Sequence, residues 1–131
     1  MTRKEALSAL IAEVEAGELP DRFLIYAAFP EFSKHMSSWP VVALIYWIMD
    51  PDDIRAMGAA KALHEAVLPG WTMDQMNQWH EDGTPRGWAV HLLRHKPLPK
   101  KREQGSDLDN PARAWLLAIL KALYSMEMDN D

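Results

Sequence analysis

The chain has no cysteine, which excludes a disulfide scaffold, a thiolate zinc site and a cysteine nucleophile. That fits a reducing compartment. No hydrophobic run is long. The longest, Val41 to Met49, has nine residues, whereas a membrane-spanning helix needs roughly 20. That run is expected to be buried core, a helix with a strand as the alternative. The start, Met1-Thr2-Arg3-Lys4-Glu5, lacks the apolar centre of a signal peptide. Net positive charge is also missing: the formal charge is −5 and the pI near 5.5, against a general nucleic-acid binder. There is no phosphate-binding glycine loop, nucleophile elbow or dinucleotide fingerprint.

At 131 residues with 48% apolar content, one domain spanning residues 1–131 and burying its own core is expected. Six Trp and eight Met suggest a bulky core or an aromatic contact surface. Charge is uneven: Arg94 to Arg102 carries five Lys/Arg, and the chain from Asp107 on is acidic apart from Arg113 and Lys121.

Local signals predict mostly helix. Thr2 with Glu5 makes a capping box, Leu7, Leu10, Ile11 and Val14 make a stripe, and Gly17 ends the helix. After the turn Leu19-Pro20-Asp21, residues 23–26 start a short helix or a strand. Phe29 and Phe32 anchor the following loop, and Pro40 opens the apolar run. Asp50-Pro51-Asp52-Asp53 restarts a helix with Ile54, Met57, Leu63, Val67 and Leu68 as buried stripe, stopped by Pro69-Gly70. Trp71 to Trp79 and Trp88 to Leu92 read as two strands around the turn-rich linker 80–87, with a helix over 72–80 as the competitor. Residues 94–105 read as a basic, proline-containing loop. Asn110-Pro111 caps a last helix with Trp115, Leu116, Ile119, Leu120, Leu123 and Met126 on its apolar face, followed by an acidic frayed tail over 127–131. The expected fold is therefore α+β: a mostly helical single domain with one two-stranded antiparallel β-hairpin packed between helices.

The segments Ala62-Leu63-His64-Glu65-Ala66-Val67-Leu68-Pro69-Gly70-Trp71, the Trp-rich hairpin, and Asn110-Pro111-Ala112-Arg113-Ala114-Trp115 through Leu123 together resemble small bacteriophage and prophage proteins. The nearest named family is the phage ABA sandwich domain. The resemblance covers roughly residues 54–125. It implies a phage-associated accessory protein working in a bacterial cytoplasm, and it carries no catalytic residues or cofactor to transfer.

Candidate chemistry is sparse. His91 and His95, with His80 or His64, have the residue type of a zinc site, although surface or hydrogen-bonded histidines explain them as well. His64-Glu65 is not a zinc-protease motif, because Leu68 stands where the second histidine would be needed. Asp50, Asp52 and Asp53 are carboxylates of the kind that bind hard cations, yet helix capping accounts for them. The sharpest surface signal is the run around Arg94, Lys96, Lys100, Lys101 and Arg102, with Trp79 and Trp88 as candidate anchors beside it. The leading expectation is a non-enzymatic protein that binds a host or phage protein. The second is nucleic-acid binding through the same run, and the third a small metal-dependent enzyme using His80, His91 and His95. Self-association is open; no membrane insertion and no cofactor are expected.

Overall fold

The structure, a computed structural model, describes residues 1–30, 41–107 and 109–129. The expectations for Phe32 and Pro40 lie outside the described residues, as does the end of the acidic tail. In chain order the described elements are α1 (Arg3–Glu15), α2 (Arg22–Ala28), α3 (Val41–Met49), α4 (Ala56–Val67), β1 (Trp71–Glu81), β2 (Thr84–Arg94), β3 (Lys101–Asp107) and α5 (Pro111–Asp129). The class is α+β. The sheet has three antiparallel strands in the order β1-β2-β3, not the expected two.

Local chemistry explains most helix ends. The Thr2 side chain accepts from the Glu5 N–H while the Glu5 carboxylate accepts from Thr2, closing the capping box, and Gly17 takes the left-handed conformation (φ +75°). Asp21 caps α2 by accepting from Phe23 and Leu24, which decides residues 23–26 as helix. The apolar run is helical too, burying Val41, Leu44, Ile45, Ile48 and Met49. The strand alternative is gone.

Three expected elements are corrected. The helix foreseen from Asp50 starts only at Ala56. Asp50 and Asp53 instead accept from the N–H groups two residues on, at Asp52 and Arg55, and hold a turn. Ile54 sits in that turn and is 99% exposed, and Met57 is also exposed. The buried stripe is Ala56, Ala59, Ala60, Leu63 and His64. The foreseen basic loop over 94–105 is also shorter, because Lys101–Asp107 pairs with β2 as a third strand. Only residues 95–100 remain as connector. Likewise Glu127 to Asp129 belong to α5 and are not a frayed tail.

The hairpin turn is tighter than its polar linker suggests. Glu81 pairs with Thr84, leaving a two-residue Asp82-Gly83 turn. Both residues have positive φ, 53° and 77°, the backbone that matches the right-handed twist of the flanking strands.

All the described helices lie on one side of the sheet. Helix α5 is the centre: it packs on β2 and β3, and α1, α3 and α4 pack on it. It is buried nearly all round from Ala112 to Leu123. Gly105 makes the closest approach possible, since a Cβ there would collide with the backbone of Ala114 and Ala118 and reach within 2.9 Å of the Leu117 Cβ. Val90 and Leu92, cross-strand neighbours of Gly105 and Glu103, are fully buried on the same face. No helix packs on the opposite face among the described residues. Among the described residues the hairpin is thus covered on one side only, whereas it was expected to be packed between helices.

Candidate functional site

The open sheet face follows from strand alternation, which sends successive side chains to opposite sides. Residues sharing a face with buried Val90 point at α5; those sharing a face with its neighbours point away. The outward set on β2 is Gly87, Ala89, His91 and half-buried Leu93, paired with Trp79, Asn77, Gln75 and Thr72 on β1; Ala89, His91 and Leu93 also pair with Ser106, Gln104 and Arg102 on β3. Gln75, Asn77, Gln104 and Ser106 are exposed. The face is therefore a field of short amides and a hydroxyl around His91, whose Nδ1 is buried without a protein hydrogen-bond partner. Trp79 closes one end, 37% exposed, with its ring on Gly87, where a Cβ would meet the ring at 2.8 Å or less. An indole shielding a strand glycine in this way restores packing the glycine cannot supply. Arg102 on β3 reaches across the sheet to Asp74 on β1 at 2.8 Å.

The basic residues are mostly consumed inside the fold. Arg94 is buried (6% exposed), donates from Nε and Nη2 to the Pro99 carbonyl, lies over the Trp71 ring and pairs with Asp129 at 3.6 Å. It fastens the 95–100 connector to the end of the sheet. Lys101 binds the same Asp129 at 2.9 Å, and Arg102 binds Asp74. The hydrogen bond and charge of Lys101, with Arg94 beside it, hold the Asp129 carboxyl below its ordinary value. The exposed Lys96 and Lys100 remain.

The expected neighbourhood of tryptophans and basic loop does not form. Trp88 and Arg94 lie six residues apart on β2, a separation of about 20 Å at the usual rise per strand residue. Trp79 is at the hairpin end of β1, while the connector meets its other end, where His95 and Lys96 donate to the Gly70 carbonyl. The tryptophan beside the basic residues is Trp71, and it is buried. Trp88 is half-buried.

The histidines are also dispersed. His80 is near the hairpin turn, His91 in mid-strand, and His95 shares a 2.8 Å hydrogen bond with Thr72. His64 is buried between the Trp115 indole and the Trp71 carbonyl. Among the described residues, no three His, Asp or Glu side chains are grouped to hold a metal ion. No described helix is long and apolar enough to cross a membrane.

Sequence reasoning missed Gln75, Asn77, Gln104 and Ser106. The signal for the first two was the single apolar residue between them, half-buried Met76. For the last two there was none, because Lys101–Asp107 has no apolar alternation to mark it as a strand. The chain matches no protein-family model, no curated protein and no solved structure.

Proposed function

We propose that this chain is a non-enzymatic interaction protein whose contact surface is the open face and free edge of the sheet. The observation that carries the reading is the one-sided sheet. Three strands are held rigidly from behind by α5, and the other face presents Gln75, Asn77, Gln104 and Ser106 with Trp79 at its end. Amides supply both donors and acceptors, and a partly exposed tryptophan supplies apolar contact area, the pairing that protein interfaces use. A rigid platform also avoids most of the ordering cost of binding.

The alternative of phosphate binding through the basic run is less well supported, because Arg94, Lys101 and Arg102 already face carboxylates or carbonyls. A phage or prophage setting, and with it a bacterial cytoplasm, is carried by the resemblance over residues 54–125 alone. It makes a host or phage protein the partner class to test first.

The experiment is a tagged pull-down from bacterial lysate with and without nuclease, read by mass spectrometry. It is run on the native chain, on Gln75→Arg with Gln104→Arg, and on Lys96→Glu with Lys100→Glu. A protein retained after nuclease and lost only in the first double variant is the expected result. Loss only in the second moves the surface to the connector. Material that disappears with nuclease overturns the protein-binding reading in favour of nucleic acid.

A further inference from the structure

We propose that the free edge of β1 recognises a second copy of this chain, the two β1 strands adding antiparallel so that two sheets become one. This deepens the interaction reading, on which it rests, by naming an occupant for the free edge, apart from any partner on the open face.

The edge is unusually open. β1 is 11 residues long, twice the usual strand, and pairs only with β2 among the described residues. Proteins ordinarily blunt such an edge with Lys, Pro or bulges, and β1 is irregular only towards its two ends. The other edge strand, β3, begins Lys101-Arg102-Glu103, but β1 has no Lys, Arg or Pro at all. Its two acids are neutralised from within the chain, Asp74 by Arg102 and Glu81 by Arg86.

The same edge is self-complementary. Irregularities at Met73/Gln75 and Trp79/His80 bracket a regular run from Gln75 to Trp79, centred on Asn77. A two-fold axis through Asn77, perpendicular to the sheet, keeps each side chain on its own face. It sets Asn77 against its own copy, and a primary amide carries donor and acceptor together, so the pair can exchange two hydrogen bonds. It sets half-buried Met76 against exposed Gln78 on the helix-side face, while the Trp79 ring stays turned inward on Gly87.

Charge agrees with this antiparallel sense. The hairpin end of β1 carries exposed Asp82, next to the Glu81–Arg86 pair. Beside the other end stand exposed His95 and Lys96, tied there by their bonds to the Gly70 carbonyl. Antiparallel addition places the acidic end of each copy at the basic end of the other, twice. Parallel addition would set acid against acid.

The test is sedimentation equilibrium of the full chain over a wide concentration range, with Asn77→Lys as the disrupting variant. Asn77 is exposed, so circular dichroism should show an unchanged monomer fold, while two ammonium groups on the axis should weaken dimerisation by at least about tenfold. The absence of cysteine gives a second readout. Asn77→Cys should cross-link to itself on mild oxidation, and Gln104→Cys, on the same face but the far strand, should not. A chain that is monomeric throughout, or a dimer indifferent to Asn77→Lys, overturns the proposal. If such a monomer still captures a partner in the pull-down through the sheet, only self-pairing fails. If it captures nothing, the interaction reading fails with it.

Discussion

The indole N–H of Trp115 donates to Nδ1 of His64 at 3.1 Å, and Nε2 of the same ring lies 2.9 Å from the Trp71 carbonyl. With Nδ1 accepting, the imidazole must carry its proton on Nε2 and donate it to Trp71. One buried side chain thereby joins α4, α5 and the first residue of the sheet. His64→Leu strands both partners, and each buried group left unbonded costs about 1–3 kcal/mol. We expect a fall of about 2–4 kcal/mol in urea-unfolding free energy. Long-range nitrogen correlation spectra should show the Nε2–H tautomer.

Two glycines should respond to alanine with opposite signs. Gly105→Ala drives a methyl into the α5 backbone at Ala114 and Ala118, and overpacking of this kind costs about 1–3 kcal/mol or more. Gly58→Ala meets open space within a helix, so it should stabilise by about 0.5–1 kcal/mol. Thermal or urea unfolding of both variants checks the pair.

Asn110 does two jobs. Its Oδ1 accepts from Ala112 and Arg113, capping α5, while its Nδ2 donates to the buried Ile48 carbonyl at 3.0 Å. Asn110→Asp keeps the cap and sets a carboxylate oxygen against that carbonyl. Asn110→Ala loses both. Each should lose about 1–3 kcal/mol, so the aspartate should fail to rescue the alanine, as an unfolding series would show.

Lys101 depresses the Asp129 carboxyl chiefly by hydrogen bonding and secondly by charge. A carboxyl lowered on folding contributes stability that is present above its unfolded value and lost as pH falls through its folded value. Lys101→Met should move the Asp129 titration upward, toward its ordinary 3.8, as carboxyl NMR titration would read. Because the group is exposed, added salt should shrink the difference between native and variant.

What was legible in the sequence was local. The Thr2–Glu5 box, the Gly17 stop and the Asn110-Pro111 cap each place donor and acceptor within three residues, so the chain makes these bonds wherever it lies. The same locality misled at Asp50-Pro51-Asp52-Asp53. A capping pattern and a two-residue turn use the same carboxylates, and the turn won. Ile54 had the right spacing for a stripe but preceded the helix, so spacing alone put an exposed residue in the core.

The strand β3 and the fate of the basic residues were decided by tertiary structure. Lys101–Asp107 has no preference of its own for a strand; it becomes one because β2 offers an edge and Gly105 lets α5 sit against it. That pairing brings Arg102 within reach of Asp74, 28 residues away in the chain, while Arg94 and Lys101 meet Asp129 at the far end of α5. By itself, then, the sequence determined the capped starts at Thr2 and Asn110, the Gly17 stop, the hairpin and the apolar segments, since these depend on neighbours a few residues apart. Which charges stay free, which sheet face stays open and which strand edge stays unpaired depend on partners distant in the chain, and only folding brings those together.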